Sequence, residues 1–135
     1  MTLKYSTTVR NAQLDAFETA IGASAVLKIR TGSAPPTCAD ADTGTVLATL
    51  NLPSDWMAAA SSGSKAKSGT WQDTSADATG IAAHWRIYAA DGTTVHAQGS
   101  ITATGGGGDM TLDNTSIAAG QAITITSFTL TNGNG

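Results

Sequence analysis

The chain has 135 residues and a formal net charge of -3. Only 13% of its residues are charged, against about 25% in an ordinary soluble domain. That balance, with seven scattered Lys and Arg, argues against nucleic acid as a partner, and no apolar stretch approaches the ~20 residues of a membrane span. The length suits one domain over residues 1–135, with residues 1–22 as an N-terminal arm and helix. The opening "MTLKYSTTVRNAQ" has no apolar leader core. A lone Cys38 rules out an internal disulfide and reads as a reduced thiol in a protein made in the cytoplasm. With 24 Ala and 22 Thr, much of the polar surface must be hydroxyl and amide.

From Ser6 to Ile21, Leu14, Phe17 and Ile21 share one helical face, with Ser6 or Thr7 as the cap and Gly22 as the stop. After Gly22 the apolar period changes to two. "AVLKIRT" (25–31) and "TVLATLNL" (45–52) read as strands, joined by the loop "GSAPPTCADADTG". "SDWMAAASSGSKAKSG" fits either a short helical turn or a strand followed by a loop.

In the stretch 80–104, Ile81, Ala83, Trp85 and Ile87 alternate with polar residues, and Val95, Ala97, Gly99 and Ile101 do the same. A three-residue loop with Gly92 in the left-handed conformation pairs Ile87 with Val95 and Trp85 with Ala97. His84 and His96 then fall opposite Gln98 and Arg86 on an exposed polar face. In "QAITITSFTLTNGNG", Ile123 and Ile125 share a face, while Phe128 and Leu130 lie on the other. Either both faces are buried or a bulge near Ser127 shifts the phase. These elements predict an all-β fold, a single antiparallel β-sandwich of jelly-roll or immunoglobulin-like type, with one short N-terminal helix.

The run Gly105–Gly108 lacks the Lys-Ser/Thr and the following helix of a phosphate loop, and Asp109 would repel a phosphate. It reads as a supple connection between two strands. Two histidines separated by Arg86 do not make a zinc site. Asp40 and Asp42 lack the rest of a calcium loop, and Asp73 and Asp77 read as turn carboxylates. No sequence neighbour of Cys38 would lower its pKa. No catalytic residue, metal ligand or cofactor is therefore expected. Trp85 belongs to the core. Trp71 is either core or a platform. Trp56, beside Met57, is either core or an exposed anchor for a partner.

The segments "STTVRNAQLDAFETAIG", "LKIRTGSAPP", "LATLNLPSDWM" and "MTLDNTSIAAGQAITITSFTLTNG" resemble the head-decoration, or cement, proteins of tailed bacteriophages, of the kind found on a Bordetella short-tailed phage. The likeness covers nearly the whole chain. It implies a jelly-roll-like sandwich, usually dimeric, clamped on the outer face of an icosahedral capsid. The implied partners are the major capsid protein and a second copy of the chain, with no nucleic acid and no membrane. It carries no catalytic residue.

On that reading, irregular segments should make the contact. The candidates are Leu3, Tyr5 and Arg10 in the N-terminal stretch, and Trp56, Met57, Lys65 and Lys67 in the segment after residue 52. The alternative is a non-catalytic carbohydrate- or receptor-binding sandwich using Trp71, Trp56 and Tyr88 as stacking surfaces.

Overall fold

The computed structural model describes residues 2–135, and they form a mostly-β fold with one short helix. Helix α1 spans Thr7–Ile21. The Ser6 hydroxyl accepts from the Val9 amide, which satisfies one orphan donor of the first turn. Gly22, at φ 92°, ends the helix and donates its N–H back to the Glu18 carbonyl. Leu14 and Ile21 face inward, as their spacing predicts.

The principal sheet has five strands. They are β1 (Val26–Arg30), β2 (Val46–Asn51), β6 (His84–Tyr88), β7 (Val95–Ala103) and β8 (Met110–Leu112), in the order β2-β1-β6-β7-β8. Three two-stranded ladders complete the fold. β3 (Ser64–Ala66) pairs with β11 (Thr129–Thr131), β4 (Trp71–Asp73) with β10 (Ile123–Ile125), and β5 (Gly80–Ile81) with β9 (Ser116–Ile117). Every pairing is antiparallel except β7 with β8.

All the Trp and Phe side chains form one row through the core. Phe17, Trp56, Trp71, Phe128 and Trp85 follow one another with ring centroids 5.9, 5.9, 5.7 and 5.5 Å apart, tilted or edge-on. The row ties helix α1 to the β4–β10 ladder and to the principal sheet. Leu27, Ile29, Leu50 and Ile87 pack with these rings in the same core.

The β6–β7 register differs by two residues from the expected one. Ile87 pairs with Ala97, Trp85 with Gly99, Arg86 with Gln98 and His84 with Ser100. The chain turns over residues 90–93, closed by the Ala89 amide on the Thr94 carbonyl, and the ladder is irregular between Ile87 and Tyr88. A shift of two preserves which face is apolar, so the hydrophobic pattern does not distinguish the two registers. Packing does. A Cβ at position 99 would lie 2.7 Å from the Trp85 ring, so a glycine belongs opposite that indole. Gly92 has φ 71°, the left-handed conformation expected of it. The Asp91 carboxylate accepts from the Thr94 hydroxyl and from the Thr94 and Thr93 amides, and these bonds push its pKa down to about 2.

The four glycines join strands, but not as a slack tether. Parallel neighbours ordinarily need a long crossover, yet Ile101 pairs with Met110 and Ala103 with Leu112 across only residues 104–109. The loop folds back on the end of β7. Gly105 and Gly107 have φ of 87° and 82°. Cβ atoms at Gly106 and Gly108 would come within 2.7 and 2.8 Å of Thr102. The Thr102 hydroxyl accepts from the Gly108 amide at 3.0 Å.

The register makes a direct prediction. Gly99→Ala should destabilise the fold by about 1–3 kcal/mol through overpacking against Trp85, measured by denaturant unfolding. An unchanged midpoint would contradict the pairing.

Candidate functional site

The two arginines of the principal sheet, Arg30 and Arg86, gather under one loop. β6 alternates Trp85 and Ile87 with His84, Arg86 and Tyr88, yet all five residues are buried. The second face is not exposed, because residues 31–45 lie across it. Asp42 is the hub. Its Oδ1 accepts from Arg86 Nη1 at 2.6 Å and from the Tyr88 hydroxyl at 2.8 Å, and its Oδ2 accepts from Arg30 Nη2 at 2.9 Å.

The guanidiniums also hold the loop backbone. Arg86 Nη2 donates to the Thr37 and Asp40 carbonyls, and Arg30 Nη1 to those of Thr43 and Gly44. Arg86 Nε donates to Gln98, whose amide nitrogen donates to the Pro35 carbonyl at 2.6 Å. Burial works to raise the Asp42 pKa, but hydrogen bonds from Arg86 and Tyr88 and the charges of Arg30 and Arg86 outweigh it and hold it below the usual carboxylate value. This arrangement fixes a loop. Its donors are directed at protein acceptors, and Asp42 has its charge neutralised twice.

His84 corrects an expectation. It is buried at 1% exposure, not on an open face, because Gly32 of the covering loop packs onto it. The Gly32 carbonyl, 2.7 Å from Nδ1, can only accept, so Nδ1 carries the proton. Nε2 is buried with no partner. Burial first, then the Arg30 and Arg86 charges, lower the His84 pKa against the opposing pull of the Gly32 bond. His96 is exposed, as expected.

The nominated contact residues separate into two groups. Leu3 is 49% exposed, and Tyr5, Arg10 and Lys67 are half-buried. Tyr5 donates its amide to the Asn134 carbonyl, and Arg10 its Nη1 to the Asn132 carbonyl, so the two chain ends lie together. Lys67 donates to the Gly69 carbonyl and sits over the Trp71 ring. Trp56, Met57 and Lys65 are buried at 0, 1 and 2% exposure and have no surface to offer a partner.

The reasons for that burial are specific. Trp56 Nε1 donates to the Gly22 carbonyl at 2.9 Å while its ring joins the aromatic row. Lys65 Nζ lies 2.8 Å from Asp15, 3.0 Å from Glu18 and 2.8 Å from the Ala58 carbonyl. Burial opposes the ammonium, but the bonds to Asp15 and Glu18 more than offset it and raise the Lys65 pKa. Asn11 and Asp15 also accept from the Gly63 and Ala60 amides, and Glu18 from that of Met57. The signal in the sequence was the stripe Asn11, Asp15, Glu18 at i, i+4, i+7, a second face of the helix that binds a loop.

Several other carboxylates hold backbone amides or hydroxyls. Asp73 accepts from the Thr49 amide at 2.9 Å and Asp77 from the Thr49 hydroxyl at 2.8 Å. Asp109 accepts from the Ser100 amide, and Asp40 from the Thr37 amide. Among the described residues no group of three or more His, Cys, Asp and Glu converges as metal ligands. Beside the aromatic row lies a groove of about 550 Å³, lined by Phe17, Trp85, Phe128, Ala97, Asp109 and Thr129 to Thr131 among others.

No protein-family model matches the chain, and neither a curated protein nor a solved structure does.

Two predictions follow from the clamp. Asp42→Ala leaves two guanidiniums without their counter-charge and should cost about 3 kcal/mol, the low end for a broken buried pair because Asp42 keeps 37% of its side chain exposed. Equilibrium unfolding measures it, and a loss under about 0.5 kcal/mol, typical of surface changes, would show that the clamp contributes little. The second concerns pH. The folded-state pKa of His84 is depressed, so below the ordinary value of 6.5 the unfolded chain binds a proton that the folded chain refuses. Stability is full above that pH and falls as acid is added. The thermal midpoint should drop between pH 7 and pH 5, and His84→Gln should flatten that slope.

Proposed function

We propose that this chain is a decoration protein of a tailed-bacteriophage head, bound to the outer surface of the capsid as a two-fold homodimer and stabilising the shell. The reading places the protein in the virion after synthesis in the host cytoplasm, and assigns it no enzymatic role. We also infer that the ladders face the five-stranded sheet across the aromatic row as one jelly-roll-like sandwich.

The observation that carries the proposal is where the charge lies. Of the seven Lys and Arg, Arg30, Lys65 and Arg86 are buried in ion pairs that hold loops, Arg10, Lys28 and Lys67 are half-buried, and only Lys4 is exposed. The outer surface is left to Thr, Ser, Ala and Gly with scattered Asp (Asp40, Asp55, Asp77, Asp91, Asp109 and Asp113), and it is nearly free of cations. Such a surface can be covered by a shell and by its own copies with almost no lysine or arginine to strip of water, and the buried centres of interfaces are depleted of charge for that reason. The resemblance of the sequence segments to decoration proteins points the same way. A carbohydrate-binding module is disfavoured, because stacking on a sugar needs an open ring face, and Trp56, Trp71 and Tyr88 are all 0% exposed.

The test is to titrate the purified protein onto empty heads assembled without it and count bound copies. Saturable binding that raises the heat resistance of the heads is expected, and no binding would overturn the reading. Leu3→Asp should lower occupancy without moving the thermal midpoint of the free protein, since Leu3 lies at the surface. Sedimentation of the free protein at micromolar concentration should give twice the 13.5 kDa chain mass.

A further inference from the structure

Three positions set Asp or Asn immediately before glycine: Asp91–Gly92, Asn132–Gly133 and Asn134–Gly135. In such a pair the glycine amide can attack the preceding side-chain carbonyl carbon. Glycine permits it because no side chain hinders the approach and its backbone angles are the least restricted. The surroundings of the three pairs differ.

Asp91–Gly92 is closed to this chemistry. The Gly92 amide is spent on the Ala89 carbonyl, and the Asp91 carboxylate accepts from the Thr93 and Thr94 amides and the Thr94 hydroxyl. At Asn132 the target is held. Its Nδ2 donates to the Gln13 side chain on helix α1, and its Oδ1 accepts from the Asn134 amide. Asn132 is also half-buried. Turning its side chain toward the Gly133 amide breaks both bonds. Asn134 has neither restraint. It is exposed, and among the described residues its side chain has no hydrogen-bond partner and the Gly135 amide no acceptor.

We propose that Asn134 is a site of spontaneous deamidation, at which the chain acquires a carboxylate beside its N-terminal segment. The Gly135 nitrogen attacks the side-chain carbonyl carbon of Asn134. A C–N bond forms, the C–N bond to the side-chain amide breaks, and ammonia leaves with the proton of the Gly135 amide. The cyclic imide that results is opened by water at one of its two carbonyls. One opening gives aspartate with the main chain unchanged. The other gives isoaspartate, in which the main chain runs through the former side chain and a free carboxylate replaces the main-chain carbonyl. Nothing is oxidised or reduced, and water is the only co-reactant.

Either product makes the net charge of -3 more negative by one. The new charge lies among donors of the N-terminal segment. The Asn134 carbonyl accepts from the Tyr5 amide at 2.6 Å. Gly135 packs on Arg10, where a Cβ would fall 2.5 Å from the guanidinium carbon, and Arg10 Nε is buried without a partner.

The test holds the folded protein at mildly alkaline pH and follows each asparagine by peptide mass spectrometry, with an isoaspartyl methyltransferase as the probe for the isoaspartyl product. Asn134 should convert at least about tenfold faster than Asn132, because two hydrogen bonds must open at Asn132 first. Gln13→Ala removes one of those bonds from an exposed helix position. It should speed Asn132 about fivefold and leave Asn134 unchanged. Equal rates at Asn132 and Asn134 in the wild type would overturn the proposal. So would an Asn132 rate that Gln13→Ala does not move, or an Asn134 that stays intact while a short peptide of the same sequence converts. The measurement needs no capsid, so its outcome is independent of the decoration reading.

Discussion

Strand β6 has no solvent face, and the charged half of the fold is arranged around that constraint. Its apolar side supplies Trp85 and Ile87 to the core, which is what alternation demands. Its polar side carries Arg86 at 0% exposure. A guanidinium cannot be left there without acceptors, because an unpaired buried charge costs several kcal/mol. Residues 31–45 supply them, with the Asp42 carboxylate and the Thr37 and Asp40 carbonyls. The loop in turn has few large side chains of its own to hold it down. Each needs the other: the arginine gives an apolar-poor loop a fixed path, and the loop makes a charged strand face tolerable in the interior.

The same solution recurs at helix α1. Lys65 reaches across to Asp15 and Glu18 and stays charged although nearly all of it is out of water. In a chain with 13% charged residues, these are not spare surface groups. They do the work that a larger apolar complement would do elsewhere, at residues 57–65 and 31–45, where Ala, Ser, Gly and Thr dominate. The cost is acid sensitivity. Asp42 and Asp15 both hold their charge below the usual carboxylate range, and His84 resists protonation, so all three favour the folded chain at neutral pH.

The parts of the fold legible in the sequence are those governed by local period. Ser6, the Leu14 and Ile21 face, and Gly22 define α1, and β1 and β2 follow from alternation. Gly92 was legible because a tight turn demands left-handed backbone. What was not legible depends on a second layer. His84 and Arg86 look like a solvent face until a loop distant in sequence is known to cover them. Lys65 and Met57 look like a charged rim and an apolar anchor until Asp15 and Glu18 are placed beside them. The β6–β7 register slipped by two because that shift leaves the apolar pattern unchanged, and only the contact of Trp85 with Gly99 chooses between the alternatives.

The glycine run shows how the fold treats its own edges. A loop that turns back over Thr102 brings Asp109 to the Ser100 amide, so the carboxylate stands where a neighbouring strand would place a carbonyl. Side chains at Gly106 or Gly108 would push that loop off the strand and withdraw Asp109 from the edge. Glycine is therefore required by close approach as much as by positive φ. Edges capped in this way cannot template the pairing of further chains.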